Sequence, residues 1–282
     1  VPGAAKGPDL GVGSGSVAPE VPVIVAPTLV GLVADRTLDA ELAALLWLLV
    51  EDGVPLIVTG EADAATRAAV AAAVLDIAPD RPWVVLDADR DHPDAESLGA
   101  TLRGGVTPAV LVAAPSLKAA MERLSAPPAG LPDDAVRRLG AALVVEGGGV
   151  HSVRVTAAHY LRPIERDAQG HVQRRPPAVL ATWDPTADTF EHFAWGITPE
   201  LADRVDRSQA DLEDRQAARA ASLARLVASA APDDLDPGRV RATIAALVAS
   251  EPPREHAPQH AAARPSPFRS PLLDPHDEGH VH

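Results

Sequence analysis

Four short apolar runs, at 54–59, 83–86, 109–114 and 141–145, punctuate the first half of the chain, and turn-forming residues separate them. Between them apolar residues recur every three or four positions, the spacing of one helix face. Leu42, Leu45, Leu46 and Leu49 form the first such stripe, with Thr37 or Asp39 placed to cap its helix and Gly53 to end it. An alanine-rich helix at 61–78 follows, then a short one at 94–102 that stops at Gly104 and Gly105. A third is capped by Ser116 and runs through Leu124, and a fourth starts near Asp133 or Asp134. Strands alternating with helices predict an α/β fold with a mostly parallel sheet flanked by helices.

The pattern changes after Gly147, Gly148 and Gly149. HSVRVTAAHYLRPIERD alternates, AVLATWD reads as a strand, DPTAD as a turn, and TFEHFAWG alternates again. These segments predict a small antiparallel patch with hairpin turns. Tyr160, Trp183, Phe190, Phe193 and Trp195 lie within it and are expected to fill a small core of its own. Beyond it, 198–230 reads as one charged helix with a stripe through Leu212, Leu223 and Leu226, and 237–250 as a second. The expected organisation is a flexible arm at 1–22, an α/β domain at 23–147, antiparallel strands with C-terminal helices at 148–250, and a disordered tail at 251–282.

Composition narrows the function classes. The sequence is 46% hydrophobic and only 3% aromatic, so Ala, Val and Leu must build the core. A net charge of −14 argues against a nucleic-acid binder, which needs a basic face to meet phosphates. The absence of cysteine excludes disulfides, thiolate zinc sites and a cysteine nucleophile. No apolar run suits a membrane span, and no basic start precedes an apolar core, so a cytoplasmic protein without direct membrane insertion is expected.

Candidate chemistry centres on VPLIVTGEADAATRAAVAAAVLDIAP at 54–79, a strand entering a glycine turn and then a helix. That is the scaffold on which loop amides and a helix N-terminus cradle phosphates. The phosphate-loop pattern G-x-x-x-x-G-K-[ST], counted from Gly60, falls on Ala65, Thr66 and Arg67. Ala65 adds a Cβ where backbone should approach phosphate, Thr66 removes the ammonium, and Arg67 replaces the hydroxyl that holds magnesium. A second cluster, Asp87, Asp89, Asp91, His92 and Asp94, has acids in number but no partner cluster at metal-site spacing, and reads as a solvated loop after a strand. His151, His159, His171 and His192 share no metal spacing either, so no metal site is expected.

Several segments together resemble the type II/type IV secretion and pilus assembly ATPases, a P-loop NTPase family. TLDAELAALLWLLVEDGVPLIVTGEADAATR is similar to the entry into their nucleotide loop, and SLKAAMERLSAPPAGLPDDAVRRLGAALVVE to the helix and strand after their His box. HSVRVTAAHYLRPIERDAQGHVQRRPPAVLATWD resembles their closing strands, and PTADTFEHFAWGITPELADRV the turn into their last helices. The resemblance covers roughly residues 28–205 and implies a P-loop NTPase-like sheet. Carried over residue by residue, Gly60 matches the first loop glycine, with Thr66 and Arg67 as degenerate cofactor-binding positions. Asp87 falls where the family has its acidic box and is the catalytic candidate. AVLVAA ends in alanines where an acid should follow, and the His-box position falls on Ala113. The resemblance therefore implies a non-hydrolysing structural or regulatory component of a secretion or pilus system, self-associating or joined to an intact relative. No cofactor is expected; ATP and magnesium enter only if the family activity survives. The alternatives are an active ATPase with an atypical loop, using Arg67 and Asp87 in altered roles, or a plain protein-interaction module.

Overall fold

Strand β1 (Leu56–Thr59) sits in the interior of the sheet and is fully buried. Leu56 and Val58 enter one apolar core and Ile57 a second on the opposite face, as a two-residue period requires. A computed structural model of the chain describes residues 27–78, 80–148, 151–166, 171–229 and 236–256. The arm expected at 1–22 and the tail from 257 onward lie outside them.

Helices α1 (Leu29–Ala34) and α2 (Ala40–Glu51) precede β1, and α3 (Ala64–Leu75) follows it. Then come β2 (Trp83–Asp87), α4 (Ala95–Arg103), β3 (Thr107–Leu111), α5 (Leu117–Ser125), α6 (Asp133–Arg138) and β4 (Ala141–Gly148). Local chemistry sets several of these boundaries. Asp39 caps α2, Asp94 and Ser97 form a reciprocal capping box on α4, and Ser116 caps α5. Strands β1 to β4 are parallel in the order β2-β3-β1-β4. Residues of α1, α2 and α3 pack on one face of them, those of α4, α5 and α6 on the other.

The antiparallel strands continue this same sheet. β5 (His151–Tyr160) pairs with β4, β8 (Ala178–Asp184) with β5, and β9 (Thr189–His192) with β8. The short β6 (Glu165–Arg166) and β7 (Val172–Gln173) form a separate ribbon. The seven-stranded sheet thus has three parallel and three antiparallel pairings, and is mixed, not mostly parallel. The expectation of a separate aromatic core is likewise corrected. Tyr160 is buried in the main core and Phe190 packs against it, while Phe193 and Trp195 are exposed. With β5 and β8 hydrogen-bonded onto β4, their inward side chains meet the core already present.

The helical end also departs from the expected single helix at 198–230. A short 3-10 turn (Ala194–Ile197) leads into α7 (Thr198–Arg204), and the chain bends at Asp206, whose φ is +47°, before α8 (Gln209–Ser229). Ser208 accepts from the Asp211 amide at 3.1 Å and so caps the new helix. Helix α9 (Pro237–Ser250) follows the expected range. The stretch after it does not peel away at 251: Glu251 pairs with Arg215 and Arg219, and Arg254 with Asp52. No described helix is long and apolar enough to cross a membrane.

Candidate functional site

The carboxyl ends of β1, β2 and β3 are where open parallel sheets place ligands, and the loop from Gly60 to Arg67 follows β1 there. Thr59 Oγ1 and the Gly60 amide each donate to the Ala114 carbonyl at 2.8 Å, and the Ala62 amide donates to Val145 at 3.2 Å. The chain at Gly60 has φ +118° and runs so close to β4 that an added Cβ would lie 2.0 Å from the Val145 oxygen. Only glycine fits both the angle and the gap. The loop amides at Gly60 and Ala62 are therefore engaged by neighbouring backbone.

The helix end is occupied too. Asp63 caps α3, its carboxylate accepting from the Thr66 amide at 2.7 Å. That amide, then the Thr66 hydroxyl, holds the Asp63 carboxyl below its usual value. The position that would meet a phosphate already carries an internal anion, on the terms a helix N-terminus favours. Thr66 contributes its amide to this cap and has no ammonium to offer.

Arg67 completes the closure. It is only 6% exposed, and its Nη1 turns back to donate to the carbonyls of Gly60, at 3.3 Å, and Ala62. Carbonyls that accept from a guanidinium present the wrong polarity to a phosphate. The loop keeps the strand–glycine–helix course, but its Gly60 and Ala62 amides bond to Ala114 and Val145, its helix end to Asp63, and Arg67 to the Gly60 and Ala62 carbonyls.

Asp87 is not part of this arrangement. Val58, Leu111 and Asp87 are level across the sheet, yet β3 lies between β1 and β2, so two strand spacings, about 10 Å, separate the Asp87 backbone from β1. Its carboxylate accepts from the Asp89 amide at 2.9 Å, and its amide donates to Asp91 at 2.7 Å. Asp89 in turn pairs with Arg123 at 2.6 Å. These bonds organise a turn, and among the described residues no group of acids and histidines could hold a metal ion. The strand expected at 109–114 ends at Leu111, so Ala113 and Ala114 lie in the loop beyond it.

Three features escaped the sequence reading. Glu146, exposed two residues beyond the last β1–β4 pair, adjoins the loop and lies 3.5 Å from the Thr156 hydroxyl. His192 pairs with Asp39 at 2.8 Å; burial lowers its pKa, but the Asp39 bond outweighs this and raises it above the usual histidine value. Arg207, Arg215 and Arg219 of the α8 region are buried among Glu51, Asp52, Asp211 and Glu251. The i, i+4 spacing of Arg207, Asp211, Arg215 and Arg219 was readable on one helical face; its partners on α2 and after α9 were not.

No protein-family model matches the chain, and no curated protein matches it.

Proposed function

We propose that the chain is a nucleotide-independent structural or regulatory protein built on a P-loop NTPase-like sheet, a counterpart of the secretion and pilus ATPases that it resembles. One observation carries the reading: Arg67 turns into the hollow of the Gly60 loop while Asp63 occupies the helix N-terminus. An open cradle would expose amides to a phosphate; here the Gly60, Ala62 and Thr66 amides already donate to Ala114, Val145 and Asp63. The interior position of β1, with parallel neighbours on both sides, supports the comparison of architecture.

Phosphoryl transfer depends on positioning and charge stabilisation by loop amides, a lysine and held magnesium. Loss of one such electrostatic group typically costs ~10²–10³ in rate, and this chain lacks several. Titration of the purified protein with a fluorescent ATP analogue and magnesium is expected to show no saturable binding, and phosphate release no turnover above background. Magnesium-dependent turnover that Asp87→Asn abolishes would overturn the proposal and favour an active ATPase with an atypical loop.

A partner role fits the same reading. Trp195 is 78% exposed and Phe193 is exposed beside it, on the flank of the edge strand β9. An exposed aromatic pair is more costly to leave in water than polar residues and suits a protein contact. We assign that contact to a second copy or an intact secretion ATPase, in the cytoplasm. Sedimentation of the chain, alone and mixed with an intact secretion ATPase, is expected to show association that Trp195→Ala weakens; a monomer in both samples contradicts the assignment.

A further inference from the structure

At the opposite end of β1 from the loop, a cavity of about 580 Å³ opens between α2, α9 and the segments that lead into β2 and β3. Its lining is largely apolar, with Ile77, Ala78, Pro82, Ile244 and Val248 among its walls and Trp47 at the last turns of α2. The volume is that of a small-molecule site. The polar groups decide what such a molecule must carry.

Three charged residues border the cavity: Glu51, Asp80 and Arg81. The Glu51 carboxylate is committed, accepting from Arg207 at 3.0 Å and Arg219 at 3.1 Å. Asp80 is exposed to water. Arg81 is different. Its Nε donates to the Glu51 carbonyl at 3.0 Å and so anchors the guanidinium at the C-terminal end of α2, but its two Nη groups have no acceptor among the described residues.

A second uncommitted donor stands beside it. Trp47 is 1% exposed, with the Arg219 guanidinium 4.2 Å from its ring centroid, and its indole N–H has no acceptor among the described residues. Trp47 and Glu51 are one turn apart on the same face of α2, and Arg81 is tied to Glu51, so both residues line the same end of the cavity.

We propose that this cavity binds an amphiphilic monocarboxylate, its apolar body against Ile77, Ile244 and Val248 and its carboxylate accepting from Arg81 and the Trp47 indole. Two donors without a free buried acceptor select a head group that only accepts. The carboxylates of Glu51 and Asp80 nearby oppose a dianion, which disfavours a phosphate monoester. The proposal is independent of the nucleotide loop.

Calorimetric titration of the full chain with decanoate, decanol and decylamine, all below their aggregation concentrations, tests it. Decanoate is expected to saturate one site and to bind about tenfold tighter than the other two, the value of a charge-assisted hydrogen bond. Arg81→Gln should erase that preference, and Trp47→Phe should weaken decanoate about fivefold while keeping an aromatic ring against Arg219. Ala245→Phe, which fills the cavity from α9 without touching a charge, should abolish binding and decides the matter if Arg81→Gln disturbs folding. Equal binding of the three probes, no binding of decanoate, or decanoate binding that survives Ala245→Phe would overturn the proposal.

Discussion

The loop at 60–67 lacks the lysine of the phosphate-loop pattern, and a buried arginine folds back over its own backbone. Arg67 is one position beyond the lysine, and its guanidinium satisfies the carbonyls of Gly60 and Ala62. Arg67→Met should leave those carbonyls unpaired and lower stability by ~1–3 kcal/mol. Urea denaturation measures the loss; a variant as stable as the parent would remove Arg67 from the account. Gly60→Ala should be worse, more than ~3 kcal/mol, because a left-handed angle and a backbone collision act together. Gly105 supplies the control. Its φ is +74° but an added Cβ meets nothing within 4 Å, so Gly105→Ala should cost only ~1 kcal/mol of conformational strain. The missing lysine and hydroxyl at this loop were legible as residue types. The inward turn of Arg67 was not, because side-chain direction depends on what fills the space around it.

Elements were legible wherever their boundaries are set locally. Asp39 and Ser116 cap their helices as expected, and Gly53 takes φ +76° after α2. The break between α7 and α8 had a local signal as well, the S-x-x-D of Ser208 and Asp211, which a reading of continuous periodicity passed over. What no helix pattern discloses is that α8 buries Arg215 and Arg219. Burial alone would raise the Asp211 pKa, but its bonds to Arg215 and Arg207 outweigh this and hold it below the usual value. Glu251 is lowered in the same way against Arg219 and Arg215. A depressed folded pKa contributes stability that is complete above the ordinary carboxylate value, about 4, and is lost as pH falls through the folded value. His192 has the opposite sign: its raised pKa contributes fully below about 6.5 and is lost as pH rises through the folded value. Thermal melts should therefore show an acid edge below pH ~4, which Asp211→Asn removes in part, and a shallower decline above pH ~6.5, which His192→Phe removes. At neutral pH, Asp211→Asn should itself cost ~3–5 kcal/mol, since it strands buried arginine charge. A pH-independent melt would contradict both assignments.

For the whole molecule, the β4–β5 pairing carries the sheet across the glycine-rich boundary at 147–149. Arg207 and Arg219 tie the helical end to Glu51 of α2, and Leu212 and Leu223 of α8 share a core with Leu45 and Leu49. The chain should therefore unfold in a single transition, with far-ultraviolet and tryptophan signals coincident. A fragment ending at residue 147 should fail to fold, because β4 becomes an open edge without β5 and α2 loses the cover of α8. Two resolved transitions, or a stable fragment, would show that the halves are independent.

By itself the sequence determined the order and type of most elements, the α/β class and the mismatch of residues 65–67 with the phosphate-loop pattern. Those follow from local causes: strand and helix periods, side-chain caps, glycine turns and the identity of single residues. The tertiary structure decided the rest. It joined parallel and antiparallel strands into one sheet, drew Thr59 to Ala114 across 55 residues and Arg219 to Glu51 across 168, and left a cavity between α2 and α9. Contacts at such separations depend on which surfaces the packed elements turn toward one another. No stretch of chain carries that information alone, because a polar side chain is exposed or buried only once its neighbours are in place.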